Sequence, residues 1–535
     1  IHFKHSYRLN MFAIVLGTAA IISLGLMFWA QDQSQKAQAA QIEAEEQREI
    51  AEQQQNLAQQ AAQQAQDSAE VAQQQRAIAL TQQQLAEQRR VQAEDASEEA
   101  RLSAQRAEDS ARVAQLQRQE AERQQQIALE QQREAEQARA EALKLRMQSI
   151  AQSMAVKATQ IDNDPDLQSL LAYQAYLFNI ENEGLEFNPD IYSGLYYSLQ
   201  SKKGAQHNQL SGHAGSIRSI NLYDDDSYLI TTAGDRNINR WPLYDSLGKH
   251  TTIYQLNRVI TTADMSYDNQ YIACVTSGPG IYVIDMLQNE IQPSIIQNDQ
   301  GRIINMKFEP QSNNLFTVSA DGSIFQHNIE NSTSLNLTTV EGETAALDIS
   351  KNGSLYALGL LNGKIVVGNL PTGEYEVIDS ISSPVSAIAI SQDSKLLAAG
   401  DRVGNITIYD LNTKTSFINF NAHEARISNL VFNTDGTILA SGSFDSNIKL
   451  WDRNNFNNQP IVLSDHESWI LSIKFKNNGE NLFSGDQDGN IFVWNTQIED
   501  MANELRGLIN RNFTEEEWRT YVAEDIPYEK TLDNI

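Results

Sequence analysis

Three sets of histidine, hydroxyl, aspartate and tryptophan residues recur in this sequence at constant spacing. In each set the hydroxyl residue follows the histidine by 18 positions, the aspartate follows four later, and the tryptophan six after that. A histidine placed between a hydroxyl and a carboxylate could activate the hydroxyl as a nucleophile. The sets are His213, Thr231, Asp235 and Trp241; His423, Ser441, Asp445 and Trp451; and His466, Ser484, Asp488 and Trp494.

The threefold recurrence favours a structural role over catalysis. The aspartate can hold the histidine from a tight turn while the hydroxyl accepts from the indole N–H, which satisfies a buried polar network. No clustered set of inward-facing titratable residues can be assigned elsewhere, so an enzyme with a central active site ranks last. We predict a protein that is not an enzyme and has no catalytic residues.

No metal or cofactor site is predicted either. Asp486, Asp488 and Asn490 begin like a calcium loop, but Ile491 and Gln497 occupy the positions where that loop requires Gly and Glu. The Gly-Lys pair within residues 359–364 lacks phosphate-loop spacing. The single cysteine, Cys274, is expected to be a buried thiol, and no Cys/His cluster has zinc spacing.

The elements that must position the three sets are β-strands of a repeat about 42 residues long. Three apolar columns recur nine residues apart, and each is expected to be the buried position of one strand. A unit of this layout is a four-stranded propeller blade. The columns are Ile220, Ala263, Met306, Leu347, Ile388, Leu430 and Ile473; Leu229, Ile272, Leu315, Tyr356, Leu397, Leu439 and Leu482; and Ile238, Ile281, Ile324, Ile365, Ile406, Ile448 and Ile491.

The repeats resemble the WD-repeat family, which implies an all-β, seven-bladed β-propeller over residues 206–497. The third repeat keeps Thr317 and Asp321 but has His327 in place of tryptophan, and repeats 2, 4 and 5 lack most of the set. The last repeat stops after its third strand, so residues 209–213 are expected to supply its outer strand and close the ring.

A membrane anchor is predicted near the beginning of the sequence. Residues 11–30 carry no charge and are mostly apolar, and twenty helical residues span about 30 Å of bilayer. A cleaved signal peptide is the alternative, although its apolar core is usually shorter. Lys4 and Arg8 lie in the flank, residues 1–10, which the positive-inside rule places in the cytoplasm with the propeller outside.

Residues 31–148 predict a long helical stalk, because they contain neither Gly nor Pro and are rich in Gln, Ala, Glu and Arg. Alanine recurs at every seventh position from Ala37 to Ala142, which favours a self-associating coiled coil. A solvated single helix is the alternative. Residues 149–203 predict a short helical neck, in which Asp164-Pro165 and Asn188-Pro189 each begin a helix.

The C-terminal extension, residues 498–535, is expected to pack on the propeller. Thr514 and Glu517 predict a capping box. The string 511–518 and the neck resemble parts of bacterial membrane-anchored proteins with an N-terminal STAND-type NTPase or other effector module. That resemblance implies a bacterial inner-membrane location and a signalling domain before Ile1, which suggests a piece of a longer protein. The family tail usually ends in Thr-Cys-Pro, whereas this one has Thr531-Leu532-Asp533.

The charge balance limits the partners. The chain has 69 acidic and 40 basic residues, a net charge of −29, which disfavours nucleic acid. We expect a scaffold or sensor whose propeller binds protein partners, which is held in the membrane by residues 11–30, and which can form homo-oligomers through the stalk. A purely structural envelope scaffold without switching is the alternative.

Overall fold

The computed structural model describes residues 75–81, 84, 104–243, 249–288, 290–297 and 301–533. They fall into two compact units. The helical unit is the part up to Leu185 together with the part from Asn510, and the propeller unit runs from Glu186 to Ile509. Besides the short stretch at 75–81, the helices of the described residues are α1 (Ala104–Ala158), α2 (Pro165–Glu181), α3 (Pro189–Lys203), α4 (Ile498–Arg506) and α5 (Glu515–Tyr521).

The propeller unit contains seven four-stranded antiparallel sheets, or blades. In the first six the strands follow chain order from the inside outward, and in the seventh β1 is the outermost strand. One strand, β1 (Gln209–Ser211), precedes the first blade. The first four blades are β2 (Ile217–Tyr223), β3 (Tyr228–Ala233), β4 (Asn237–Pro242) and β5 (Thr251–Gln255); β6 (Ile260–Met265), β7 (Tyr271–Thr276), β8 (Ile281–Asp285) and β9 (Ser294–Ile296); β10 (Ile303–Phe308), β11 (Asn314–Ser319), β12 (Ser323–Asn328) and β13 (Thr333–Thr339); and β14 (Thr344–Ile349), β15 (Leu355–Leu360), β16 (Lys364–Asn369) and β17 (Tyr375–Ser380).

The remaining blades complete the ring. They are β18 (Val385–Ile390), β19 (Leu396–Asp401), β20 (Asn405–Asp410) and β21 (Thr415–Asn421); β22 (Ile427–Phe432), β23 (Ile438–Ser443), β24 (Ile448–Asp452) and β25 (Ile461–Leu463); and β26 (Ile470–Phe475), β27 (Asn481–Asp486) and β28 (Asn490–Asn495). The seven-bladed propeller predicted from the repeats is confirmed.

Blade 7 is closed by the beginning of the repeat region. Strand β1 pairs antiparallel with β28, with Leu210 opposite Ile491. The innermost strands contact one another in sequence, and β26 contacts β2, so the ring has no free radial edge. The predicted closure by residues 209–213 is therefore confirmed.

The apolar columns form the core between blades. All seven isoleucines of the third-strand column are 0% exposed, and the second-strand column is buried throughout. In the first-strand column only Leu347 is half-buried, and its other members are buried. A β-bulge follows the first residue of the innermost strand in every blade, including blades 2, 4 and 5, which lack the polar sets. Those three blades are therefore equivalent to the others in backbone as well as in core.

The helical unit joins α1 and α2 to the C-terminal tail. Asp164 caps α2 by accepting from the amides of Asp166 and Leu167 at 3.1 and 2.9 Å. The capping box is present, since Thr514 Oγ1 accepts from the Glu517 amide at 3.1 Å and Glu517 accepts from the Thr514 amide at 2.8 Å. These two predicted helix starts, and the one at Asn188, are confirmed.

The division into units differs from the predicted domains at both ends of the propeller. The predicted neck, 149–203, is split, because α2 belongs to the helical unit and α3 to the propeller unit. The predicted extension, 498–535, is split as well, because its apolar residues from Asn510 onward pack in the helical unit and only α4 stays with the propeller. Helix α1 continues to Ala158, ten residues past the predicted end of the stalk.

The predicted anchor, residues 11–30, lies outside the described residues, as does most of the stalk before Ala104. Among the helices that the structure describes, none combines the length and the apolar character needed to cross a bilayer. Of the alanine column, Ala128, Ala135 and Ala142 are buried, whereas Ile127 and Leu143 are exposed. The coiled coil stays a prediction.

Candidate functional site

The polar sets of blades 1 and 6 lie in the same geometry. His213 Nδ1 is 2.9 Å from Asp235 Oδ2, its Nε2 is 2.8 Å from Thr231 Oγ1, and the Trp241 indole donates to Thr231 Oγ1 at 2.8 Å. In blade 6, His423 is 2.9 Å from Asp445 and 2.8 Å from Ser441, whose Oγ accepts from the Trp451 indole at 2.9 Å. The structure thus brings all eight residues together as two buried networks.

The carboxylates determine which ring nitrogen of these histidines carries a proton. Because an ionised carboxylate can only accept, Nδ1–H donates to it, and the Nε2 of a neutral imidazole then accepts the hydroxyl proton. Burial lowers the pKa of His213 and of His423, although the neighbouring carboxylates oppose it. Burial alone would raise the pKa of Asp445, but hydrogen bonds from His423 and from backbone amides hold that pKa at about 2. The histidines are therefore neutral and the aspartates charged.

The hydroxyls in these sets are unsuited to nucleophilic attack. Thr231, Ser441 and Ser484 are each 0% exposed, and each oxygen already serves one donor and one acceptor. A catalytic hydroxyl must reach substrate and release its proton to the histidine. The resemblance of these sets to catalytic triads therefore ends at residue types.

The set in blade 7 differs from its prediction by one residue. His466 Nδ1 lies 2.9 Å from Asp486 Oδ2, not from Asp488, while Ser484 and Trp494 occupy their predicted places. Asp486 ends β27, two residues after Ser484, so both side chains point to the same face of the strand. Its carboxylate also accepts from the amides of Asp488 and Asn490 at 3.0 and 2.8 Å, and Asp488 lies in the turn that those bonds close.

Other aromatic or histidine side chains replace tryptophan in the blades with partial sets. In blade 3, His327 Nε2 is 2.8 Å from Thr317 and its Nδ1 is 2.7 Å from Ser334; burial lowers its pKa to about 4. In blade 4, the Tyr356 ring fills the place over Gly368, where a Cβ would lie 2.1 Å from the ring. These blades close their cores without the complete network.

Two sets of loops share one face of the propeller, which we call the loop face. In every blade the turn after the second strand is hydrogen-bonded to the loop before the first strand; the Phe444 amide donates to Arg426 O at 2.9 Å, and the Gln487 amide donates to Trp469 O at 3.0 Å. The turns between first and second strands lie at the opposite face, because successive antiparallel strands reverse direction.

Four side chains from three blades form an arginine–aromatic cluster on the loop face: Arg402, Arg426, Phe444 and Trp469. The Arg426 guanidinium lies 5.2 Å from the centre of the Phe444 ring. Phe444 stacks on Trp469 with centroids 4.5 Å apart and an interplanar angle of 6°. Trp469 is nevertheless 47% exposed, and Arg402, whose charge acts on Arg426, is exposed as well. The cluster presents the exposed Trp469 indole and the exposed Arg402 beside the half-buried Arg426 and Phe444.

Among the described residues, neither arginine of the cluster forms an ion pair. Within the described part of the chain, no carboxylate lies within 4 Å of the guanidinium of Arg402 or Arg426. The Nε atom of Arg426 is buried without a hydrogen-bond partner. Burial lowers the pKa of Arg426, and the charge of Arg402 lowers it further.

A second charged group, which the sequence interpretation missed, surrounds the propeller axis. It is the axial quartet Asp264, Lys307, Asp348 and Lys474, each one residue after a member of the first-strand column. The quartet could have been found in the sequence by reading the residue that follows each member of the first-strand column. No such cluster could be assigned from the sequence, whereas the structure brings these four titratable residues together.

The contacts of the quartet indicate a structural role. Asp264 Oδ2 accepts from the Phe308 amide and Asp348 Oδ2 from the Ile390 amide, both at 2.7 Å, so each carboxylate ties its strand to the next blade. Lys307 forms an ion pair with Asp348. Burial raises the pKa of Asp264, although the charges of Lys474 and Lys307 act to lower it. Burial lowers the pKa of Lys474. Two cations and two anions balance the charge at the axis.

Comparisons with known proteins agree with this architecture. The family described as "WD domain, G-beta repeat" matches residues 204–241, 414–452 and 457–495, the three repeats that carry the complete polar sets. A guanine nucleotide-binding protein subunit beta of Nicotiana tabacum is 24% identical over 254 residues, 45% of this chain and 58% of the relative. The serine-threonine kinase receptor-associated protein of Gallus gallus is 19% identical over 242 residues, 45% of this chain and 67% of the relative. Actin-interacting protein 1 of Caenorhabditis elegans is 21% identical over 272 residues, 47% of this chain and 42% of the relative.

The fold and the buried networks define a seven-bladed propeller built from repeats with a His–hydroxyl–Asp–Trp core. Three matched repeats inside that closed ring support the WD-repeat propeller family. The chain spans 58% of the length of the beta-subunit relatives that it matches.

Proposed function

We propose that the propeller is a protein-binding scaffold and that its partner docks on the loop face at the arginine–aromatic cluster. The observation that carries this proposal is the exposure of Trp469 while it stacks on Phe444. Tryptophan and arginine are enriched at the centres of protein interfaces, where they provide most of the binding energy. The names of two relatives refer to association with a receptor and with actin, which is consistent with a binding role.

The rigidity of the site supports docking rather than chemistry. The cluster rests on loops that backbone hydrogen bonds tie to their own blade, and Asp445 in the same turn is held by His423. A preorganised aromatic surface loses little conformational entropy when a partner binds. Of the buried polar sets, none offers a free nucleophile.

Photocrosslinking tests where the partner docks. With a benzophenone amino acid at position 469 of the full chain, we expect a discrete crosslinked adduct in cells of the source organism, and we expect Arg426→Ala to weaken it. The matched control is position 267, because Tyr267 is 70% exposed in the turn between the first two strands of blade 2, on the opposite face. Equal adducts from both positions, or an adduct from 267 alone, would contradict the proposal.

We further propose that residues 11–30 anchor the chain in a bacterial inner membrane and that the propeller lies outside the cytoplasm. The stalk would associate with the stalks of other copies, and the propeller would recognise its partner on behalf of a signalling module before Ile1. The apolar run, the flanking Lys4 and Arg8, and the alanine heptad support this proposal.

Protease added outside spheroplasts tests the anchor and the stalk together. We expect release of a fragment that contains the propeller and stalk, with a mass by light scattering above that of one chain. Protection of the propeller until the membrane is lysed would reverse the orientation. A released fragment with the mass of one chain would make the stalk a solvated spacer.

A further inference from the structure

We propose that the arginine–aromatic cluster recognises an acidic peptide segment of the partner, whose carboxylates pair with Arg402 and Arg426 while a neighbouring side chain packs on Trp469. This inference rests on the proposed docking at the loop face and adds the chemistry of the partner. It runs against the net charge of −29, which by itself suggests a basic partner.

Arg402 and Arg426 differ from several other cations at the surface of the described chain, which form ion pairs. Arg453, for example, reaches Asp393 at 2.6 Å, and Arg511 reaches Glu517 at 2.8 Å. In a chain with 69 acidic and 40 basic residues, carboxylates for pairing are abundant. Two adjacent guanidiniums that have no carboxylate partner repel each other, and an external anion would relieve that repulsion.

The geometry of Arg426 orients its guanidinium. Its flat face lies over Phe444, so the ring holds the guanidinium by a cation–π contact and restricts its orientation. The Nε atom is buried and has no partner, so a carboxylate from solvent would have to pair with the terminal Nη groups. A planar fork held in this way suits bidentate pairing with a carboxylate. Arg402, from the adjacent blade, adds a second positive charge that lowers the pKa of Arg426.

The surroundings of the cluster favour a short acidic peptide over a nucleic acid. The exposed carboxylates of Glu424 and Glu467 lie two residues before Arg426 and Trp469 on the same loops. A duplex with one charge per ~1.7 Å would bring further phosphates close to these two carboxylates. A peptide with a few carboxylates next to an apolar residue fits the small cationic area and the exposed indole.

The test is a selection of short random peptides on the immobilised full chain, followed by affinity measurements on the enriched sequences by fluorescence anisotropy. We expect enrichment in Asp and Glu, and an affinity that falls as salt rises. Arg426→Gln and Arg402→Gln should each weaken binding about tenfold. Arg453→Gln is the matched control, because it removes a paired arginine outside the cluster, and it should change the affinity less than twofold.

Several outcomes would overturn the inference. Selected peptides without acidic enrichment, no selected peptides, or affinities unchanged by Arg402→Gln and Arg426→Gln would do so. Displacement of the peptide by single-stranded DNA of equal charge at a lower concentration would assign the cluster to phosphate groups instead. If crosslinking at position 469 persists and is weakened by Arg426→Ala, while the selected peptides show no acidic enrichment, docking at the cluster stands and only the acidic partner fails. If crosslinking fails as well, the proposed function fails.

Discussion

Replacing Asp486 with alanine is expected to lower the free energy of unfolding of the propeller by about 3 kcal/mol, whereas replacing Asp488 should change it by less than about 0.5 kcal/mol. Burial opposes the charged form of Asp486, but His466 and Asn490 lower the pKa of its carboxyl group. Its removal leaves the His466 Nδ1–H buried without an acceptor and frees the amides of Asp488 and Asn490. Asp488 makes no such contact with His466.

Urea unfolding followed by tryptophan fluorescence measures both variants, since Trp494 lies in the same network. Asp445→Ala is the positive control, because Asp445 holds His423 at the position that spacing alone predicts. The contrast between Asp486 and Asp488 decides the assignment. A loss from Asp488→Ala as large as the loss from Asp486→Ala would restore the assignment made from spacing.

The fold could be predicted from sequence because each blade repeats the same apolar positions. Ile238 and its six equivalents fall on fully buried sites, and the missing strand of the last repeat could be found by comparing residues 209–213 with the other repeats. Helix starts could be predicted because Asp164, Asn188 and Thr514 act on amides within three residues. Features that depend on local spacing could therefore be predicted from the sequence.

Features that depend on the closing of the ring could not be predicted from the sequence in the same way. Asp486 and Asp488 are the same residue type two positions apart, and only the end of β27 decides which one faces His466. The four residues of the arginine–aromatic cluster come from loops of three different blades, and no repeat position contains all of them. The axial quartet becomes visible only when seven first strands surround one axis.

The C-terminal tail shows the same limit in the helical unit. The capping box locates α5, but nothing in the tail predicts which residues cover its aromatic face. In the structure Trp518 is 1% exposed, and its ring lies 6.0 Å from Phe178 of α2, 5.8 Å from Phe513 and 5.5 Å from Tyr528. A residue more than three hundred positions earlier in the chain thus completes the core of the tail.

Trp518→Ala is therefore expected to destabilise the helical unit by about 3–5 kcal/mol. The change removes the aromatic packing and also the hydrogen bond that the indole donates to Ile526 O at 3.0 Å. Tyr528 additionally donates to Phe513 O at 2.8 Å, so the extended end of the tail is expected to detach with the loss of the indole. Because α2 and the tail form a unit with the end of α1, while the propeller has its own core, the loss should stay within the helical unit.

Hydrogen exchange resolves the effect by region. In Trp518→Ala we expect the amides of α2 and α5 to exchange faster by about two orders of magnitude or more, and the amides of the blade cores to keep their protection. Trp469→Ala is the matched control, because it removes an exposed tryptophan and should leave the protection of both units unchanged. Equal loss of protection in the propeller would show that the two units unfold together. Unchanged exchange in α2 would show that the tail does not stabilise the helices, and that Trp518 is buried without a structural consequence.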